Sequence, residues 1–375
     1  MILMRTRAVP VLAIVIGLVA TLFLFTPSFA QNFEQTYFLY DGQTTFQLTL
    51  SITPTLHEHY LQKSHQLTQG NFGSFVTPYS LELVASDIRS ISRDEENFIN
   101  LVLMVVHQIP YEVVEEARYP VETIVQNKGD CDCFSFIAAS LLKSENFNVV
   151  LFFYEEESHM NIGVNLPQPP RNARTTISYV DYMGTRYYMA ECTGDDWQNG
   201  WRVGECPSEL EDTQVTVVTL DNYEQIAPGQ VSSSFGSLQE SAISLIVPTN
   251  FVIEGTTLVV NGQVSASNSV GTVTLYVRVG NSWFSIGTAD LDSDGRYTFS
   301  WVPTTGGQYF LKASWSGNDE YAGADSQYIL VFVVPEMLVF VAGALFVVAI
   351  VSVMIILMHK TNQPQEIQVL EATPE

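Results

Sequence analysis

Asn127-Lys128-Gly129-Asp130-Cys131-Asp132-Cys133-Phe134-Ser135, followed by the apolar run Phe136 to Leu142, is the stretch on which the reading of this chain turns. Gly129 and Asp130 interrupt the preceding structure and offer a helix N-cap, while Phe134, Ile137, Ala138, Leu141 and Leu142 recur at helical spacing. A cysteine therefore stands in the first turn of a buried helix. Unpaired backbone N–H groups and the positive end of the helix dipole favour the thiolate there, the form of cysteine that attacks carbon.

Upstream, Ser80 to Gln108 reads as helix in two pieces, with Ser92 and Glu95 in the form of a capping box, and Ile109-Pro110-Tyr111 ends it. Farther back, Tyr37 to Tyr40 and Thr44 to Leu50 form a hairpin pattern around Asp41-Gly42. Downstream, Asn148 to Tyr154 is an apolar run of strand length. Ser158-His159 opens the alternating Met160 to Leu166, and Ser178–Tyr182 pairs with Arg186–Glu191 across Met183-Gly184. Gln214 to Leu220 offers one more strand. Helices, a cysteine helix and then a small antiparallel sheet carrying His159 and Glu191 make an α+β layout.

His57, His59 and His65 bring no carboxylate or cysteine set of known spacing, and His57 and His59 share a face only in a strand, so no metal is assigned to them. Asp221 to Ser241 turns to Gln, Ser, Gly and Pro and reads as a linker. From about Ile243 to Val334, short strands alternate with Gly and Asp turns, the pattern of an all-β sandwich of immunoglobulin type without a cysteine pair. Asp290 to Gly295 imitates the opening of a calcium loop, but Trp301 stands where the bidentate acid is needed, so a hairpin turn is expected.

Forty acidic and 16 basic residues leave a formal net charge of −24, which excludes a nucleic-acid partner because phosphate binding needs a basic face. Two apolar segments bear on location. Arg5 and Arg7 precede the run Ala8 to Phe25 and the small-residue site at Ala30, so residues 1–30 read as a signal peptide or N-terminal anchor. Met337 to Met358 carries no charge and is followed by His359 and Lys360, a transmembrane helix ending in a short cytoplasmic tail, 359–375. The main domains are then extracytoplasmic, in a compartment that permits disulfides. Cys131 and Cys133 are too close in sequence to bridge without strain, which leaves Cys192 with Cys206 as the expected pair.

Cysteine attack on an amide needs a thiolate, a base that later protonates the leaving amine, and a group that orients the base. Cys131, His159 and Glu191 come in that order. Tyr119-Pro120-Val121-Glu122-Thr123 with Gly129-Asp130-Cys131, Ser158-His159-Met160-Asn161-Ile162-Gly163-Val164, and Tyr187-Tyr188-Met189-Ala190-Glu191-Cys192-Thr193 with Trp201 to Pro207 resemble the transglutaminase-like (papain-like thiol) superfamily, in its prokaryotic exported form. The resemblance covers roughly Phe75 to Leu220, within a domain read as 31–220. It implies Cys131 as nucleophile, His159 as general base and acid, and Glu191 as the orienting acid. Cys133 stands where an acidic residue is common in the family, and Glu191 where aspartate is. Oxyanion stabilisation is expected from the Cys131 backbone N–H and one upstream donor, for which Gln126 is the candidate.

The expected function is a membrane-anchored thiol enzyme that cleaves or transfers peptide or glutamine amide acyl groups through a thioester, with a protein or peptide substrate and no metal or organic cofactor. The alternative is an inactive surface recognition protein built from the same two units. A zinc site of Cys131, Cys133, His159 and Cys192 is a weaker reading, since Cys-x-Cys spacing suits it poorly.

Overall fold

The structure, a computed structural model, describes residues 31–361 apart from positions 69, 195, 267, 268 and 281. The expected signal segment and residues 362–375 of the expected tail lie outside the described residues. Inward alternation of Tyr37, Leu39, Leu48 and Leu50 pairs β1 (Phe33–Tyr40) with β2 (Thr45–Ile52), with Tyr40 opposite Thr45. Thr53 and Pro54 then start α1 (Pro54–Leu61). His57 and His59 are thus two positions apart on a helix, about 200° around its axis, and share no face.

The helical layer continues with α2 (Glu82–Ile91), α3 (Glu95–Val106), α4 (Pro120–Gln126) and α5 (Cys131–Ser144). Ser92 does not open α3 as the capping-box pattern suggested. Its hydroxyl donates to Arg89 O at 2.8 Å at the end of α2, and Asp94 caps α3 by accepting from Asn97 N at 2.7 Å. The Asp94 carboxylate, immediately before the helix, wins the cap by position. Asn127, at φ 49°, closes α4 in the left-handed conformation and turns the chain toward Gly129. From Cys133 to Leu142 every residue of α5 is buried, so the helix runs through the core rather than along a surface.

A five-stranded sheet lies against α5: β3 (Val149–Tyr154), β4 (His159–Val164), β5 (Tyr179–Tyr182), β6 (Thr185–Ala190) and β7 (Thr216–Thr219), in the order β5-β6-β4-β3-β7. Its other face carries a small cluster of Val150, Phe152, Tyr154, Tyr187, Met189 and Cys206. The stretch expected as a linker is not free of the first unit. Val231 is buried and β8 (Ser232–Ser234) pairs with β2, Ser233 opposite Leu50.

The remaining strands are β9 (Phe251–Ile253), β10 (Leu258–Gln263), β11 (Thr272–Val279), β12 (Ser282–Asp290), β13 (Arg296–Trp301), β14 (Gly307–Gly317), β15 (Ala322–Asp325) and β16 (Ile329–Val334). The β10–β13 pair faces the sheet β12-β11-β14-β16-β9, and Leu258, Val260, Val273, Leu275, Leu311, Trp315 and Val331 fill the space between. Asp292 Oδ1 accepts from the Asp294 and Arg296 N–H groups, the work of a turn. The two units touch directly. Thr55, at the start of α1, donates through its backbone N–H (2.9 Å) and its hydroxyl to Asp325 of β15. Lys312 of β14 is buried beside Glu58, Asp325 and the Trp283 ring. After Pro335 comes α6 (Glu336–Thr361), whose residues Glu336–Ile355 have a mean hydropathy of 3.0 and are long and apolar enough to cross a membrane.

Gly129 sets the start of α5. Its N–H donates to Pro110 O, its carbonyl accepts from Glu112 N at 2.7 Å, and a Cβ there would come within 2.8 Å of Cys133 Cβ. Gly129→Ala is expected to destabilise the fold by about 1–3 kcal/mol through overpacking, visible as a lower thermal midpoint of the detergent-solubilised chain.

Candidate active site

Antiparallel pairing brings the site together. Ser158, at φ 49°, turns the chain from β3 into β4 with Tyr154 opposite His159, so His159 opens β4 beside the start of α5. The Ser135 hydroxyl lies 2.7 Å from Cys131 O and 3.1 Å from Met160 O, tying the cysteine turn to the histidine strand. Ser158 O is 3.9 Å from Cys131 Sγ. On the next strand, Ile162 faces Ala190, which carries Glu191 to the Asn161 side chain.

Glu191 is 0 % exposed. One carboxylate oxygen accepts from Asn161 Nδ2 at 2.9 Å, the other from the Thr193 N–H at 2.8 Å and its hydroxyl at 2.6 Å. His159 Nε2 sits 3.0 and 3.2 Å from the two oxygens. Burial would push the Glu191 carboxyl up, but His159, Asn161 and Thr193 outweigh it and hold it below the ordinary value. Burial likewise pulls the His159 imidazole down, and hydrogen bonding to Cys131 and Glu191 reverses this, raising it to about 10. With Nε2 committed to the carboxylate, Nδ1 is the ring nitrogen left for the thiol.

The four cysteines are free thiols with distinct surroundings. Cys131 is partly exposed. Cys133, two positions on, turns inward and is fully buried, and burial together with the Asp132 carboxyl raises its thiol far above the ordinary range. The Asp130 and Asp132 carboxyls lie within 4.8 Å of each other and of the Cys133 thiol. Burial works against ionisation of both, yet Asp130 ends below its ordinary value while Asp132 is pushed up to about 7. Asp130 occupies the N-cap position, but its Oδ2 accepts from Val114 N at 3.0 Å rather than from the helix. The expected Cys192–Cys206 bridge is absent. Cys192 packs on the helix-facing side of the sheet and Cys206 in the cluster on the opposite side, so the sheet separates their thiols. The weaker zinc set is also not assembled as read, because Cys133 is buried away from the cleft and His159 Nε2 is taken by Glu191.

Beside His159 opens a cleft of about 560 Å³ lined by His107, Gln108, Ile109, Pro110, Tyr111, Thr193 and Gly194. Gln126 is exposed at the last position of α4, outside this lining, because the left-handed turn at Asn127 carries the chain away from it. Among the upstream lining residues, Gln108 spends its amide N–H groups on Phe38 O and Met104 O, both at 2.8 Å. The exposed Tyr111 hydroxyl is therefore the side-chain donor available on that wall.

His107 is a site residue that the sequence reading did not single out. It is 2 % exposed, and its Nε2–H donates to the backbone carbonyl of Glu191 at 3.0 Å. A Cβ on Gly200 would come within 2.5 Å of His107 Nδ1, so glycine lets the loop after Glu191 close on the ring. Burial holds this imidazole below its ordinary value and hence neutral. Its position just after α3 was legible; its contact with a strand 84 residues away was not.

Residues 245–334 match the family model of the bacterial Ig-like domain (group 3). No curated protein matches the chain. Among solved structures, the CARDB domain of a Pyrococcus furiosus protein, in complex with two metal ions, is similar at 18 % identity over 26 % of this chain and 94 % of its own, with a TM-score of 0.19. The bacterial hydrophobin BslA gives 10 % identity over 27 % of this chain and 98 % of its own, TM-score 0.18. A candidate cysteine protease from Cytophaga hutchinsonii gives 10 % identity over 53 % of this chain and 78 % of its own, TM-score 0.25.

Two outcomes follow from the geometry. Iodoacetamide at neutral pH is expected to modify Cys131 and to spare Cys133 and Cys192 until the chain is denatured, read by mass spectrometry of the peptides. The His159–Glu191 pair adds stability in a defined window. The raised His159 value places its contribution fully below the unfolded 6.5 and loses it as pH rises through about 10; the lowered Glu191 value keeps its contribution above 4.5 and loses it in acid. The stability difference between wild type and His159→Gln should thus be largest between pH 4.5 and 6.5 and shrink toward pH 10.

Proposed function

We infer that the chain is a transglutaminase-like thiol enzyme that breaks or exchanges amide bonds, anchored by α6 with its cleft outside the cell. The observation that carries this reading is the bond from His159 Nε2 to the fully buried Glu191 carboxylate, which leaves Nδ1 for Cys131. The Cys131 sulfur attacks the amide carbon, forming the C–S bond as the carbonyl π pair moves to oxygen. The oxyanion is held by the Cys131 backbone N–H and, in place of Gln126, by the Tyr111 hydroxyl. As the C–N bond breaks, His159 gives its Nδ1 proton to the departing amine. Glu191 stays ionised and keeps the ring oriented. Water or a second amine then attacks the thioester, with His159 taking its proton, and Cys131 is released. Both resolutions use the same groups, so the substrate class is a peptide or glutamine side-chain amide.

Alkylation of Cys131 in the detergent-solubilised chain, followed against pH, tests the first step. His159→Ala is expected to slow labelling at pH 7, and Cys131→Ala to remove it while Cys133→Ala leaves it intact. An unreactive Cys131 in the native protein would sink the reading. With a peptide or glutamine amide substrate in hand, Tyr111→Phe is expected to lower the acylation rate by about 10²-fold, with substrate affinity changed far less.

A further inference from the structure

We propose that the end of the β-sandwich from which α6 departs rests on the outer leaflet of the membrane that α6 crosses, with its exposed apolar side chains at headgroup depth. This rests on the reading of α6 as a membrane span.

Strand register identifies the residues at that end. β9 runs parallel to β16 with Ile253 beside Val334, Leu258 opens β10 opposite Trp301, and Val279 closes β11. Glu254 N donates to Val334 O at 3.0 Å and Gly255 N to Pro303 O at 2.8 Å, while Gly306 packs on Pro335 so closely that a Cβ would lie 2.4 Å from its ring. The turns 254–257 and 302–306 are thereby fastened to the residues that lead into α6. Ile253, Val279 and Val302 are all exposed here, and Phe251, 64 % exposed, stacks on Phe332 just above them.

Charge divides the two ends of the sandwich. Among the described residues, the turns 254–257 and 302–306 carry only Glu254, and Glu336 follows at the start of α6. The opposite end carries Asp290, Asp292, Asp294, Asp319 and Glu320 against Arg296. An apolar, threonine-rich end suits a neutral headgroup layer; the acidic end does not. Chain length then leaves little freedom. Val334 and Met337 are three residues apart, which spans at most about 11 Å, and the headgroup layer on each side of the hydrocarbon is roughly 5–8 Å deep. The end of the sandwich therefore lies in or against that layer once α6 is inserted. Because α1 is fastened to β14 and β15 through Glu58, Thr55, Lys312 and Asp325, seating the sandwich also sets the height of the cleft beside His159 above the lipid.

The test uses the full chain in phosphatidylcholine vesicles, with Cys131→Ser to remove the accessible thiol. A nitroxide is placed singly at Ile253→Cys, Val302→Cys, Asp294→Cys and, within α6, Val347→Cys, and its collision rates with oxygen and with a water-soluble nickel chelate are compared. The expected result is an oxygen-to-nickel ratio at 253 and 302 severalfold above that at 294 and below that at 347. A deep label at 347 with 253 and 302 as wet as 294 overturns the proposal and leaves the membrane span standing. A wet label at 347 overturns both. Dipolar broadening at 302 that grows with protein density in the vesicle, without raised oxygen collision, assigns this end to contact between two copies and overturns the proposal.

Discussion

The buried carboxylate of Glu191 constrains more of the first unit than any other group. An isolated carboxylate with no exposure would cost several kcal/mol of desolvation. It is tolerated because every neighbour that reaches it donates: Asn161 from β4, Thr193 from the chain just after β6, and His159 from the start of β4. Those donors converge only in one register of β4 on β6. A slip of one residue would turn Asn161 to the other face of the sheet and leave the charge without a partner. The pairing of two strands and the ionisation of one acid are thus a single arrangement.

Around it, three layers hold the cleft. From below, α5 is buried along almost its whole length and is pinned to β4 by Ser135, so the partly exposed Cys131 and the His159 ring cannot drift apart independently. From the side, His107 grips the Glu191 backbone from the end of α3. Its neutrality matters, since a second imidazolium here would compete with His159 for the same carboxylate. The third layer is the loop after Glu191, whose Glu205 is held by Arg174 through two side-chain bonds of 2.9 and 2.6 Å. Two thiols on one helix turn consequently have opposite characters: Cys131 is partly exposed beside His159, and Cys133 is buried in the core.

The sandwich is joined to this unit by charge as much as by packing. Lys312 is nearly buried, 3.5 Å from Glu58 and 3.8 Å from Asp325, with its ammonium 4.6 Å from the Trp283 ring centre. Buried ions without partners are costly, and separating the units would take Glu58 from Lys312 and the two Thr55 donors from Asp325. The segment between the units, polar and glycine-bearing, pairs onto β2 instead of acting as a tether. Composition alone suggested flexibility; backbone hydrogen bonding to an open sheet edge decided otherwise.

Local pattern was enough for the α+β order of elements, the hairpins at Asp41-Gly42 and Met183-Gly184, the helix that begins at Cys131, the many-stranded sandwich and the long apolar helix at the end. Each of these depends on periodicity or turn chemistry within a dozen or so residues, which a linear sequence displays directly. The start of α3 at Asp94 rather than Ser92 was a matter of which short side chain reached the free N–H groups. What tertiary structure alone decided is everything that joins distant residues: the contact of His107 with Glu191, the separation of Cys192 from Cys206 by the sheet between them, the removal of Gln126 from the cleft and the exposure of Tyr111 within it. Sequence names the groups capable of chemistry, but reactivity depends on burial and on partners within a few ångströms, and those are set only when strands from separate parts of the chain are paired.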